Sequence, residues 1–343
     1  MVMVPVALSI DALIEARSSD IRNLGRFLIK HGILLETEPP QALIKKFLDS
    51  SMPDKSYLRE LLRELVSRRT VPGIPQLRDW DLSKGEDKST VWQLIAVICS
   101  HDEIRESGQH LPSSGVLECG RWRAGEISDL YSMELSTFSA DVSTGEIAGT
   151  DGREVFGKKI LRPLKSVAKE VRILDNYFHQ KLLESRVDGG SRWLLDTFLE
   201  VESGLSRRVR VYSTAMYDQM GPEGSPARGD WVRQTSSLYG EIFERNAGNE
   251  GCQLDVYILP ERHGLNLNHQ RRMQFAISDR TWTSVSCDDS ADLFDLHSSR
   301  PPGNWTLDSK TDVNKRFSDI SKIWQQHDFV EAFRFPNERM PLP

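Results

Sequence analysis

Residues 254–277, LDVYILPERHGLNLNHQRRMQFAI, decide the fold class. Leu254–Leu259 is a short apolar run rich in β-branched and aromatic side chains, which predicts a strand. Arg272–Ile277 together with Trp282–Ser286 reads as a β-hairpin. Working upstream, Arg207–Thr214 (RRVRVYST) alternates with period two and predicts another strand. Val171–Asp175 (VRILD) is a β-rich run ending in a carboxylate. Helical patterns lie between these strands, at Lys158–Val167, Ser191–Val201 and about Val232–Arg245, with a last helix over Val313–Gln326. Strands alternating with helices and then running consecutively predict an α/β domain, a mixed sheet covered by helices.

Further upstream the pattern changes. Ile10, Leu13, Ile14, Ile21, Leu24, Phe27 and Leu28 recur at helical spacing, and Lys55–Arg69 carries Leu58, Leu61, Leu62 and Leu65 on one face. Ser89 stands as an N-cap before the apolar stretch Val91–Cys99. These features predict a mainly helical N-terminal region. Residues 101–156 are turn-rich, with short candidate strands at Val116–Cys119 and Tyr131–Phe138. The expected organisation is a helical N-terminal domain over 1–105, an acidic connecting segment over 106–155 and an α/β domain over 156–343.

The composition narrows the function classes. At 343 residues, 38% of them hydrophobic, the chain has apolar material for two packed domains and is not a disordered protein. Its formal net charge is −6, and residues 101–150 alone sum to −6. A blanket electrostatic grip on nucleic acid or anionic membrane is therefore not expected, and any polyanion binding must be local. The acidic stretch is either a solvated surface or a docking face for a basic partner. Cys99, Cys119, Cys252 and Cys287 are far apart with no CxxC pair, which argues against structural zinc or a disulfide framework and fits a reducing cytosol. No apolar run approaches the roughly 20 residues that span a bilayer. The N-terminus lacks a basic region and acquires Asp11 and Glu15 early, so it does not read as a signal peptide. The expected location is cytoplasmic.

Nucleotide phosphate loops, dinucleotide fingerprints, HExxH and GxSxG are all missing, so no cofactor and no metal are called for. Two HxK-like sites remain. His179-Gln180-Lys181 follows the VRILD run closely and falls on the turn into the next helix. His269-Gln270-Arg271 is better placed, between the LDVYIL strand and the MQFAI strand. A His two residues before a cation at the start of a strand puts both side chains on one face. Such a pair offers a phosphate an imidazole nucleophile and a guanidinium clamp. The plain alternative is an exposed turn His beside a strand-edge Arg.

Residues from about 170 to 330 resemble the phospholipase D-like fold, nearest to the phospholipase D-like C-terminal domain of MIT-domain proteins. The matching features run in order: a strand ending in Asp175-Asn176-Tyr177, the Arg210-Val-Tyr-Ser-Thr strand, LDVYIL leading into His269-x-Arg271, Phe275, Trp282, and Ala291-Asp292-Leu293-Phe294. The active pattern in that superfamily is HxK, four residues, Asp, six residues, then GSxN. From His269 it gives Arg271 for Lys, Ala276 for Asp and Thr283-Ser284-Val285-Ser286 for GSxN, so only His269 and Ser284 agree. In active members one His attacks phosphorus, a second protonates the leaving group, and Lys and Asn hold the phosphoryl oxygens. Asp279 stands three positions late for the pattern.

The resemblance implies a module with a degenerate site, binding a phosphate-bearing ligand (nucleic acid or headgroup) or a protein partner. His269, Arg271 and Ser284 would line the remnant pocket, with Arg210 and Arg272 as flanking cations. Arg holds a phosphate bidentately, so binding survives the loss of Lys better than turnover does. The alternative is a metal-independent phosphodiesterase or nuclease using His269 across a homodimer. The Gly/Pro-rich segment 221–230 would then border a channel, with Trp231 and Tyr217 stacking on bases. A helical part joined to such a domain also suggests a component of a bacterial antiphage or mobile-element complex.

Overall fold

A computed structural model describes residues 4–34, 57, 59, 95–98, 100–106, 116–119, 122–126, 144–147, 149–184, 189–200, 207–246, 251–260, 271–277, 282–287, 294–295, 303–308 and 331–336. The chain divides into two compact units, one of residues 1–143 with 158–167, the other of residues 144–157 with 168–343.

The first unit contains strands β1 (Val4–Leu8), β2 (Gly32–Leu34), β3 (Ile95–Ile98), β4 (Val116–Cys119) and β5 (Trp122–Gly125). They form a sheet in the order β2-β1-β3-β5-β4, in which β2, β1, β3 and β5 run parallel and β4 is antiparallel to β5. Helix α1 (Ile10–Glu15) starts where the Ser9 hydroxyl accepts from the Asp11 and Ala12 amides, at 3.1 and 3.4 Å. Helix α2 (Ser18–His31) buries Ile21 and Leu24, and α3 (His101–Glu106) follows β3. The expected N-terminal helices at Ile10–Leu28 and the expected strand at Val116–Cys119 are present. The helix expected over Val91–Cys99 is not: Ile95–Ile98 is a strand between β1 and β5. A strand flanked by parallel neighbours is apolar on both faces, so its sequence shows no alternation to separate it from a buried helix. The described N-terminal region is therefore α/β rather than mainly helical. The expected elements at Tyr131–Phe138 and Val313–Gln326 lie outside the described residues, as does Lys55–Arg69 apart from Tyr57 and Arg59, which are helical.

The second unit opens with β6 (Thr144–Ile147) and α4 (Gly149–Phe156). A π-helical turn, Gly157–Leu161, and α5 (Arg162–Val167), which belong to the first unit from Lys158 on, lead on to β7 (Glu170–Leu174) of the second. Helices α6 (Phe178–Glu184) and α7 (Gly190–Leu199) connect β7 to β8 (Arg207–Ala215). Helices α8 (Tyr217–Met220) and α9 (Pro226–Asn246) connect β8 to β9 (Cys252–Pro260). The remaining strands are β10 (Arg271–Ala276), β11 (Trp282–Cys287), β12 (Gly303–Asp308) and β13 (Glu331–Phe335). The eight strands form one sheet in the order β13-β9-β8-β7-β10-β11-β12-β6, with β7, β8 and β9 parallel and every other pair antiparallel. The predicted α/β class, with a mixed sheet and helices, is the one observed.

Alternation gives this sheet two unlike faces. Val171, Ile173, Val209, Val211, Leu254, Val256, Ile258, Met273, Phe275 and Val285 are buried on one of them. Helix α7 packs there, Phe198 meeting Phe275 edge to face at 5.8 Å, and α9 lays Gly240 against Phe335. The segment expected as a loop to Asp230 turns helical earlier, at Pro226. The Ser225 hydroxyl caps the Arg228 amide at 3.1 Å and Pro226 takes the first helical position, where its missing N–H costs nothing. Gly221, at φ +75°, makes the turn before it. Among the described residues no helix is long and apolar enough to cross a membrane.

Candidate functional site

At the carboxyl end of β7, Asp175, Tyr177 and Arg271 come together. Asp175 donates its backbone N–H to the Tyr212 carbonyl at 3.1 Å, and its carboxylate accepts from the Tyr177 amide at 2.9 Å. The Asn176 carbonyl accepts from the Thr214 amide and from the Ser213 and Thr214 hydroxyls, at 3.0, 3.0 and 2.8 Å. Three donors on one carbonyl fix residues 175–177 to the end of β8. Because β10 is antiparallel to β7, with Arg272 opposite Leu174, its first residue arrives at this same edge. Arg271 Nε lies 3.9 Å from Asp175 Oδ1, and its guanidinium stands 5.6 Å from the Tyr177 ring centroid. In open α/β sheets ligands collect beyond the carboxyl ends of the strands. His269 lies outside the described residues.

Trp231 sits on the helix-covered side. It is the sixth residue of α9, with its ring edge-on to His179 at 5.5 Å and Arg228 above it at 5.5 Å. His179 lies in the first turn of α6, 1% exposed, stacked on Tyr239 at 5.9 Å with its amide bonded to the Ser213 hydroxyl. Burial lowers its pKa to about 4, so the imidazole is neutral. Burial pushes the Tyr239 hydroxyl far up, and it stays protonated 3.4 Å from His179 Nδ1. His179 Nε2 and Trp231 Nε1 have no hydrogen-bond partner. Tyr217 begins α8.

No family model matches the chain, and no curated protein matches it.

Arg210, Arg272 and Ser284 share the opposite, polar face of the sheet. One cross-strand row runs Arg334, Asp255, Arg210, Arg172, Gln274, Ser284 through six neighbouring strands. Arg272 projects on this face two residues before Gln274, whereas Arg271 projects on the other. Ala276, at the position of the superfamily Asp, is buried opposite Glu170 and Trp282. The cationic residues of the row are densely paired. Arg172 Nε bonds Glu170 at 2.5 Å and its guanidinium lies 4.0 Å from the Trp282 ring centroid. Burial pushes the Arg172 pKa down against the pull of Glu170. Both ends of the Gln274 amide and the Ser284 hydroxyl are fully buried without a hydrogen-bond partner.

Glu170, Arg172, Asp255 and Arg334 belong to this face and were not singled out by sequence reasoning. The clue was present in LDVYIL: a lone carboxylate inside an apolar strand has to be buried, and a buried carboxylate needs cations around it. Among the described residues no three His, Cys, Asp or Glu side chains gather as a metal site requires.

Proposed function

We propose that the chain is a non-catalytic phospholipase D-like module that recognises a phosphate-bearing ligand, nucleic acid or headgroup, as a cytoplasmic subunit that also engages a protein partner or a second copy. The observation that carries this reading is the position of Arg271. Residues 96 positions apart in sequence, Asp175 and Arg271, meet at the carboxyl edge of β7, with Tyr177 beside them. There the Asp175 carboxylate and the Tyr177 ring hold a guanidinium in a fixed orientation, suited to clamping a phosphoryl oxygen pair. Pairing with Asp175 leaves that clamp without net charge of its own, so the affinity expected is modest and depends on geometry. The substitution of Ala276 where the superfamily has Asp supports binding over turnover.

The test is to incubate wild type, His269→Ala and Arg271→Ala with labelled single- and double-stranded DNA and RNA, and with phospholipid vesicles, in EDTA. No cleavage, with binding weakened about tenfold in Arg271→Ala, is the expected result. Cleavage by wild type that disappears in His269→Ala would replace this reading with a metal-independent nuclease. Neither cleavage nor binding would leave a scaffold, and reversing the charges of residues 101–150 would then be read out by loss of complex formation.

A further inference from the structure

Three guanidiniums close on one carboxylate on the polar face of the larger sheet. Asp255 is fully buried in the middle of β9. Arg208 from β8 meets its Oδ2 through Nη2 at 2.5 Å and Nε at 2.6 Å. Arg334 from β13 donates Nε to Oδ1 at 2.8 Å, and Arg210 brings Nε to within 3.8 Å of Oδ2. Gln253 adds a further N–H to Oδ1 at 3.1 Å. The adjacent Glu170 is shared in turn between Arg172 at 2.5 Å and Arg210 at 3.4 Å. Among the described residues four guanidiniums therefore divide two carboxylates, two positive charges more than negative at this point of a chain whose net charge is −6.

A buried carboxylate is neutralised by one well-placed guanidinium, so a structural ion pair accounts for only part of the cluster. The rest is an excess of like charge held close together, which a counter-anion relieves. The arginines remain accessible: the side chains of Arg208, Arg210 and Arg334 are 32%, 19% and 16% exposed. Partial burial reduces solvent screening and strengthens the attraction for an anion. Asp255 anchors the inner N–H groups, so the outer ones are oriented before any ligand arrives, which reduces the ordering cost of binding. Tyr212 projects on the same face two residues past Arg210 and stacks on Tyr257 at 4.9 Å, which bounds this edge of the cluster.

We propose that Arg208, Arg210 and Arg334, organised by Asp255, form a receptor for a phosphate dianion, separate from the Arg271 edge. Guanidinium forks match phosphate oxygens in pairs, and a dianion balances the excess charge. The site lies on the face of the sheet opposite the one to which Arg271 projects, so it stands or falls independently of the function proposed above.

The experiment is a calorimetric titration of the full chain with inorganic phosphate and pyrophosphate at constant ionic strength in chloride. Saturable binding is expected, weakened roughly 10- to 100-fold in an Arg208→Gln, Arg334→Gln double variant. The same weakening should appear when both proteins also carry Arg271→Ala, which removes the edge site of the function proposed above and isolates the cluster. Equal binding by wild type and the double variant would overturn the proposal and leave a purely structural ion network. Should the double variant not fold, Arg208→Lys keeps the charge and loses the fork. It should bind more weakly than wild type, and unchanged binding overturns the site. A wild-type melting temperature that rises no more with phosphate than with chloride overturns it as well.

Discussion

At the scale of single residues, His179 gives the chain a built-in acid sensitivity. A neutral imidazole with a folded pKa of about 4 faces an unfolded value near 6.5. Between these values the unfolded state binds a proton that the folded state refuses, so stability falls as pH drops from 6.5 toward 4 and is unaffected by this group above 6.5. The full loss is about 3 kcal/mol, taking 1.36 kcal/mol per pH unit. Replacing the ring by an apolar one of similar shape, His179→Phe, should flatten the stability profile over that interval in urea denaturation series. Equal slopes for the two proteins would mean that the imidazole is hydrated after all. The sequence showed His179 as half of an HxK and placed it near a helix start, where it lies. What spacing could not supply was the aromatic partner 60 positions away, since Tyr239 and Trp231 reach it only once α9 has packed. Asp255 was legible as an anomaly, one carboxylate in an apolar strand, yet its partner Arg334 comes from the distant edge strand β13.

Elements were legible in proportion to how strongly their two faces differ. Strand β8 reads as a strand because Arg208 and Arg210 alternate with Val209 and Val211, and the sheet uses that alternation, guanidiniums on one face and apolar side chains on the other. Strand β3 offers no such contrast, and four apolar residues in a row read as readily as helix. On the helix-covered face of the sheet, α7 meets β10 through one aromatic pair. Phe198 and Phe275 are both fully buried and in edge-to-face contact, and Phe275 lies four residues past Arg271 on the same strand. Phe275→Ala should cost about 3–5 kcal/mol, as deletion of a buried aromatic ring does. Chemical denaturation is the check, and a loss below about 1 kcal/mol would show that the helix does not rely on this ring. Tm and phosphate affinity should separate in the same variant: the arginine cluster stands on β8, β9 and β13, away from β10.

At the scale of the molecule, charge decides how any polyanion is met. The chain is acidic overall, so attraction to nucleic acid is confined to the few arginines within a screening length of the ligand. An oligonucleotide held by two or three arginines should show a log–log dependence of affinity on salt with a slope of about −2 to −3. Filter-binding or anisotropy titrations from 50 to 200 mM salt measure it. A slope near −8 would require a broad basic surface that this composition does not contain. The division into two units adds a constraint of another kind. Residues 144–157 belong to the unit that ends the chain, whereas 158–167 belong to the unit that begins it. The path thus leaves the first unit, lays down β6 and α4, and returns before entering the second unit for good. On the ribosome, the first unit cannot be completed when residue 143 emerges, because ten of its residues follow later. Strand β6, the edge of the large sheet, must in turn wait for β12, more than 150 residues downstream, to pair with it. The two units are consequently sewn together in the order of synthesis, and a cut at any single peptide bond leaves one of them short of a piece.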